Sequence, residues 1–267
     1  MTEPAGLPLF IPSFLARHDA PHERKLAFLH QAGEGPVVIW LGGFRSDMLA
    51  TKAEALADWA KREKRAFLRF DYTGHGLSEG LFEEATISVW LADTLAMIAA
   101  HGGVRPILVG SSMGGWLALL AARAMAARQA DPSGQPGGLV LIAPAVDFTH
   151  ELMWEQFPEV VKRQIETEGQ WLRPSAYSAE PYPIKRALIE DGRKHALFGA
   201  PILPGCPVTI LQGMADPDVP WSHAIKLVEH LPADDVTLTL IKDGDHRLSR
   251  DQDIALLLKA VGKMCEG

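Results

Sequence analysis

The chain of 267 residues is 47% hydrophobic and 22% charged, which excludes a long disordered protein and supplies enough apolar material for a packed core. Its formal charge of −7 comes from 26 basic and 33 acidic residues without a run of Lys or Arg, so we predict no nucleic-acid partner. No apolar stretch approaches the ~20 residues of a membrane-spanning helix, so we predict no membrane span.

Hydrophobic runs alternate with segments of helical periodicity along most of the chain. Short strands at 14–17 and 26–30 are predicted to form an antiparallel pair at a sheet edge. The continuous apolar run 37–41 is typical of a parallel strand buried on both faces. Further strands are predicted at 66–70, 106–109, 139–142, 208–211 and 236–241. Helices are predicted at 52–64, at 87–100, from the segment 110–115 to about 128, at 222–231 and at 251–264. The alternation predicts an α/β fold, with a mostly parallel central sheet and helices on both faces.

Residues 149–205 interrupt this alternation. The segment is rich in aromatic residues and contains helical stretches but no convincing strand. Long insertions in compact domains are often functional lids, so we predict a helical cap at 149–205, inserted into a core formed by 1–148 and 206–267. Covering a substrate and ordinary packing are both open roles for such a segment.

The sequence GSSMG at 110–114 matches the G-x-S-x-G pattern of a nucleophile elbow, with Ser112 as the nucleophile. The pattern follows an apolar strand and opens a helix, which is the context that this motif requires. Small residues two positions either side of the serine let a strained backbone present its hydroxyl. Ser111 lacks glycines at these offsets, and a plain glycine-rich turn is the alternative explanation.

A serine hydroxyl needs an imidazole base, and the imidazole needs a carboxylate that fixes its tautomer. His246 lies in the loop after the last predicted strand, and Asp216 lies in the loop after the strand before it, so both reach the same sheet edge. Asp218 and Asp147 are alternative acids. His75 is a rival histidine that we interpret as structural, because it precedes the nucleophile in a turn-rich loop.

Acyl transfer also requires two hydrogen-bond donors for the developing oxyanion. The N–H of Met113 follows the nucleophile at a helix N-terminus and is the first candidate. The glycine-containing loop after the strand 37–41 is expected to supply the second donor, which we assign to Phe44. A simple turn that has no role in binding an oxyanion would have the same sequence pattern.

Three segments resemble motifs of the α/β-hydrolase family, and the resemblance covers almost the whole chain. The segment 71–78 is similar to D-x-x-G-x-G-x-S, 110–114 to the nucleophile elbow, and 213–220 to the acid loop G-x-x-D-x-x-V-P. The resemblance implies that Asp71 is structural rather than catalytic.

Further similarity narrows the resemblance. Segments 41–48, 70–78 and 110–116 are similar to the abhydrolase-domain group of palmitoyl-protein thioesterases and acyl-glucuronide esterases and to its bacterial relatives. This resemblance implies ester or thioester cleavage. Gly42 departs from the wider family, in which a histidine commonly begins the oxyanion loop.

We therefore predict a serine hydrolase that cleaves a small-molecule carboxylic ester or thioester through an acyl-enzyme intermediate, without a cofactor or a metal. A carbon–carbon bond hydrolase or peptidase on the same scaffold is the alternative, and a non-catalytic binding module is a further one. The oligomeric state is left open, and a monomer is consistent with the sequence.

The N-terminus lacks the patterns of a signal peptide and of a mitochondrial transit peptide, so we predict a cytoplasmic location. Cys206 and Cys265 lie too far apart, and without companion ligands, to suggest a disulfide framework or a thiolate metal site. We expect both to be buried, unreactive thiols.

Overall fold

A computed structural model of the protein describes residues 12–17, 24–128, 134–174, 181–232 and 235–266. The N-terminal residues 1–11, on which most of the targeting prediction depends, lie outside these ranges. Within them we find no helix with the length and apolarity needed to cross a bilayer.

Strands and helices alternate along most of the described chain. The strands are β1 Ser13–Arg17, β2 Arg24–Gln31, β3 Glu34–Leu41, β4 Arg65–Phe70, β5 Ile107–Ser111, β6 Gly138–Ile142, β7 Gln170–Arg173, β8 Tyr182–Lys185, β9 Val208–Gly213 and β10 Val236–Ile241. The helices are α1 Thr51–Arg62, α2 Ile87–His101, α3 Met113–Arg128, α4 Glu159–Glu168, α5 Arg186–Lys194, α6 Trp221–His230 and α7 Asp251–Glu266.

Eight of these strands form one sheet in the order β1-β2-β4-β3-β5-β6-β9-β10. The pairs β1–β2 and β2–β4 are antiparallel, which confirms the predicted edge pair. All other neighbours in this sheet are parallel. The predicted α/β architecture is therefore confirmed.

Side chains of the parallel strands point alternately into two hydrophobic layers, because successive residues of a strand face opposite sides of the sheet. In β3, Ile39 and Leu41 face the layer that is covered by α2, α3 and α6. Val38 and Trp40 face the layer under α1 and α7. Both faces of the sheet are thus buried, which explains the continuous apolar runs of the sequence.

The register of the sheet aligns the carboxyl ends of the strands that precede the predicted site. Ser111 of β5 lies opposite Ile142 of β6, which lies opposite Leu211 of β9. Gly213 at the end of β9 lies opposite Ile241 of β10. Loops that leave β5, β9 and β10 therefore emerge at one edge of the sheet, where ligands of such folds bind.

The expectation of no strand within residues 149–205 is wrong. β7 and β8 pair antiparallel in a separate two-stranded sheet, between α4 and α5. Each strand has only four residues, and Pro183 in β8 weakens the strand signal because it lacks a backbone donor. Gly169, with φ of 82°, ends α4 in the left-handed conformation and starts the turn into β7.

The two cysteines are free and half-buried. Burial raises the pKa of the Cys206 thiol to about 12, and it also raises the pKa of Cys265. Both are held in the thiol form at neutral pH, which makes them poor nucleophiles and metal ligands.

Candidate active site

The sharp turn between β5 and α3 presents Ser112 at the edge of the sheet. Ser112 adopts φ of 54°, a left-handed conformation that is rare outside glycine. Three backbone hydrogen bonds hold this residue: its N–H donates to Ile142 (2.8 Å), and its carbonyl accepts from Gly115 (2.9 Å) and Ala145 (3.1 Å). The surrounding backbone therefore maintains the strained turn.

Glycines flank Ser112 because neighbouring backbone leaves no room for a side chain. A Cβ at Gly110 would lie 2.3 Å from the carbonyl oxygen of Gly114. A Cβ at Gly114 would lie 2.0 Å from the carbonyl oxygen of Leu41, at the end of β3. The two glycines of the motif thus allow the turn to pack against the strand that leads to the predicted oxyanion loop.

Ser112, His246 and Asp216 form a continuous chain of hydrogen bonds. The Ser112 hydroxyl donates to Nε2 of His246 over 3.2 Å, and Nδ1–H of His246 donates to Oδ2 of Asp216 over 2.8 Å. The side chain of Asp216 is fully buried, whereas that of His246 is 20% exposed. The arrangement can remove the hydroxyl proton and stabilise the imidazolium that results.

Backbone contacts bring the loops of Asp216 and His246 together. The N–H of Ala215 donates to the carbonyl of Gly244 over 2.9 Å, and that of Met214 donates to Ile241 over 2.8 Å. Gly213 is required here, because an added Cβ would lie 2.3 Å from the carbonyl oxygen of Gly244. Parallel pairing of β9 and β10 thereby fixes the acid beside the base.

The alternative acids have different surroundings. Asp216 Oδ1 also accepts backbone N–H bonds from Asp218 (2.8 Å) and Val219 (2.9 Å), which fix its orientation. A carboxylate oxygen of Asp218 and a ring nitrogen of His246 lie within 4.8 Å of each other, so Asp218 is near the base but exposed. Asp147 instead accepts the backbone N–H groups of Leu197 and Phe198 over 2.8–2.9 Å.

These contacts also bear on metal binding. Asp216, Asp218 and His246 carry oxygen and nitrogen atoms close enough to surround an ion. The Asp216 carboxylate is already engaged by two amides and an imidazole, and the Ser112 hydroxyl completes the chain. The cluster is therefore explained as an acid–base pair beside a nucleophile.

His75 lies away from this chain and supports the neighbouring loop. Its Nε2 accepts the backbone N–H of Arg45 over 3.2 Å, and its Nδ1–H donates to the carbonyl of Thr73 over 3.3 Å. Burial lowers the pKa of His75 to about 4, so the ring is neutral at pH 7 and can accept a hydrogen bond from the amide of Arg45.

Asp71 accepts the backbone N–H groups of Met48 (2.7 Å) and Leu77 (2.8 Å). These contacts agree with the structural role that the family resemblance implies for Asp71.

The loop after β3 lies directly against the nucleophile. A Cβ at Gly43 would lie 3.4 Å from Cβ of Ser112. Neither the Phe44 nor the Met113 N–H donates a hydrogen bond within the described part of the chain, and both residues line the same cavity as Ser112. Both residues thus carry a backbone donor beside Ser112 that no described acceptor occupies.

The Phe44 side chain anchors this loop in an aromatic cluster. Its ring lies 5.0–6.2 Å, between centroids, from four other aromatic rings: Phe82, Trp90, Phe148 and Tyr182. Tyr182 belongs to β8, so the cluster connects the loop to residues 149–205. Edge-on and tilted contacts of this kind stabilise more than their buried area alone.

A cavity of about 660 Å³ opens over Ser112 and His246. Its apolar lining includes Phe44, Phe148, Leu152, Met153 and Tyr182. Among the described residues, the rest of the lining includes four basic side chains and one carboxylate, which are Arg45, Lys52, Arg173, Arg247 and Asp218. The described lining thus combines apolar and basic side chains, although the chain as a whole is acidic.

Similarity to known proteins shows the family of the chain. The model of the alpha/beta hydrolase family matches residues 16–259. The chain is 37% identical over 255 residues to the mitochondrial palmitoyl-protein thioesterase ABHD10 of Bos taurus, covering 95% of this chain and 80% of the relative. The chain belongs to the α/β-hydrolase family.

Solved structures place this α/β hydrolase among close relatives. A protein from Agrobacterium vitis S4 that was assigned as a hydrolase is 47% identical, with a TM-score of 0.91, and the match covers 96% of this chain and 98% of the other. The alpha/beta hydrolase domain-containing protein 10 from mouse is 33% identical, with a TM-score of 0.85 and coverage of 96% and 99%. The predicted resemblance is confirmed.

Sequence reasoning missed two residues that contact the site of this α/β hydrolase. Gln212 is fully buried at the end of β9 and donates from Nε2 to Asp216 Oδ2 over 3.3 Å and to the carbonyl of Val219 over 3.0 Å. An amide directly after the apolar residues Ile210 and Leu211 was the available signal. Lys52, whose Nζ donates to the carbonyl of Arg247, had no such signal.

Proposed function

We propose that this α/β hydrolase cleaves carboxylic esters or thioesters in two steps through an acyl-enzyme intermediate. Ser112 Oγ attacks the carbonyl carbon while His246 Nε2 takes the hydroxyl proton, and Asp216 stabilises the imidazolium. The Phe44 and Met113 N–H groups hold the oxyanion. His246 then gives its proton to the departing alcohol or thiol, and water, activated by the same base, releases the acid.

One observation carries the proposal: the hydrogen-bonded chain from Ser112 through His246 to Asp216 opens into a cavity. The thioesterase name of the relative at 37% identity supports the choice of ester and thioester bonds. Peptide and carbon–carbon bond cleavage would use the same three residues, and nothing in the lining favours them. No step of this chemistry calls for a metal or a cofactor.

We further propose that residues 149–205 form a cap over an apolar acyl or aryl group. Leu152, Met153 and Tyr182 of this segment line the same cavity as Phe44 and Phe148 of the core. Burying an acyl chain against these apolar side chains contributes roughly 0.8 kcal/mol per CH₂ group. A medium-length acyl chain suits a cavity of about 660 Å³.

The predicted cytoplasmic location stays a prediction, since the ABHD10 relatives are named as mitochondrial proteins. Small-molecule esters and thioesters remain the proposed partners of the cavity. The match to the relatives leaves the oligomeric state untested.

Labelling by a fluorophosphonate probe tests the nucleophile. We expect a single adduct at Ser112 in the folded protein, lost in Ser112→Ala and retained in Ser111→Ala, the alternative serine. The turnover number of Ser112→Ala on an activated ester should fall on the order of 10⁴-fold or more. Absence of an adduct in folded wild-type protein would favour the binding module, and unchanged hydrolysis by Ser112→Ala would end the proposal.

A substrate panel tests the bond type and the cap. Esters and thioesters of rising acyl length, together with a peptide and a dienone acid, are compared at equal concentration. We expect kcat/KM to rise with acyl length until the chain fills the cavity and then to level off. Faster cleavage of the peptide or the dienone acid than of every ester would reassign the reaction.

A further inference from the structure

The loop that carries His246 is tightly bent and is held on its α7 side. Asp245 Oδ1 accepts the N–H of Leu248 over 3.0 Å, and Leu248 is buried with φ of 43°. Arg250, at the end of the loop, donates to Asp253 of α7 over 2.8 and 2.9 Å. These contacts shape the loop, but none of them ties it to the oxyanion side of the cavity.

Lys52 makes that connection. It is the second residue of α1, the helix that follows the loop containing Phe44. Its Nζ donates a hydrogen bond to the carbonyl of Arg247, the residue after His246, across 195 positions of sequence. Lys52 also lines the cavity beside Ser112 and His246. One side chain thus connects the two sides of the site.

The charge of Lys52 is held in a partly dehydrated position. Burial lowers its pKa to about 8, and the guanidinium of Arg247 acts in the same direction. The carboxylates of Asp245 and Asp253 oppose this shift. At neutral pH the ammonium is therefore largely protonated, next to the loop whose imidazole becomes a cation during the reaction.

We propose that Lys52 is a positioning residue, which holds the loop of His246 against the oxyanion side so that base and amide donors meet the same carbonyl. The proposal rests on the proposed roles of Ser112 and His246.

Lys52→Met keeps the apolar stem and removes both the donor and the charge. We expect kcat to fall roughly 10- to 100-fold with little change in KM, since small displacements of a catalytic group have effects of this size. Fluorophosphonate labelling of Ser112 should slow by a similar factor.

Lys61→Met on the exposed last turn of the same helix is the matched control and should retain wild-type kinetics. Lys52→Arg keeps a charged donor and should restore most of kcat and most of the labelling rate. If Lys52→Met does not fold, Lys52→Gln provides the neutral variant for the same measurements.

Two outcomes would overturn the proposal. In the first, Lys52→Met matches Lys61→Met in kcat, KM and labelling rate. In the second, kcat and labelling rate per folded molecule stay at the wild-type values and activity falls only in proportion to the folded fraction, which would leave Lys52 as a stabilising residue alone. Failure of the proposed function is distinct, because it would show as activity retained in Ser112→Ala.

Discussion

At the scale of single residues, the two carboxylates near His246 differ in burial and contacts, so we expect different effects of their substitutions. Asp216 is buried, bonded to His246 over 2.8 Å and oriented by two backbone amides, whereas Asp218 is exposed. Asp216→Asn removes the acceptor charge and favours the wrong imidazole tautomer. We expect kcat to fall roughly 10³- to 10⁴-fold at unchanged fold, as for the orienting acid of other triads.

Asp218→Asn is the matched control for this prediction, with the same change of chemistry two residues away. We expect its kcat for an activated ester to stay within a few-fold of wild type, measured with circular dichroism to check folding. A larger loss in Asp218→Asn than in Asp216→Asn would transfer the role of the acid to Asp218.

At the scale of elements, α2 is capped by a side chain from α5. Thr86 at the start of α2 makes no side-chain capping bond, and Asp191 of α5 instead accepts from the Ser88 N–H (2.7 Å) and hydroxyl (2.8 Å). His195 Nε2 lies 2.7 Å from the same hydroxyl. Burial alone would raise the pKa of Asp191, but hydrogen bonds, that of Ser88 foremost, outweigh it and lower the pKa.

Removing this cap tests whether α5 docks residues 149–205 onto the core. For Asp191→Ala we expect the free energy of unfolding to fall by about 1–3 kcal/mol, because two donors of Ser88 lose their acceptor. We expect KM to rise with kcat largely kept, since Ser112 is untouched. Glu190→Ala, which removes only an exposed ion pair with Arg186, should cost little in urea unfolding. Equal effects of the two variants would contradict the docking role.

The elements also show what the sequence could and could not predict. The strands of the large sheet were predictable because burial on both faces makes them continuous apolar runs, as in β3. β7 and β8 were not predicted, because a strand of four residues is too short for its alternation of buried and exposed side chains to be recognised. The triad followed from loop order, whereas Lys52 and Asp191 act on partners 195 and 103 positions away, which no local pattern encodes.

At the scale of the whole molecule, the site depends on an intact sheet, because its parts come from four separate strand ends. Ser112 follows β5, Asp216 follows β9, His246 follows β10 and Phe44 follows β3. A register error of one residue would shift a strand by about 3.3 Å along its own axis and reverse the faces of its side chains, which would separate the three side chains of the site. Activity should therefore report on the folded population, and conditions that destabilise the fold should reduce both together.

Acidification is such a condition, and we expect His75 to make the largest contribution to the loss of folding stability. Burial lowers the pKa of His75 from 6.5 to about 4, so between these values the unfolded chain binds a proton that the folded chain does not. The contribution of His75 to the free energy of unfolding is therefore fully present above pH 6.5 and is lost as the pH falls towards 4. This contribution amounts to about 3 kcal/mol. Protonation also places an N–H of His75 against the N–H of Arg45, which disturbs the loop of Phe44.

Urea unfolding of wild type and of His75→Gln between pH 7 and pH 4.5 measures this contribution. We expect His75→Gln to be less stable than wild type at pH 7 but to have a clearly smaller dependence on pH, because a neutral amide takes the place of a titrating ring. Some dependence should remain, since burial also lowers the pKa values of His195 and His223. His150→Gln is the matched control, because the side chain of His150 is half-exposed. Parallel curves for His75→Gln and wild type would show that the acid sensitivity of the fold originates elsewhere.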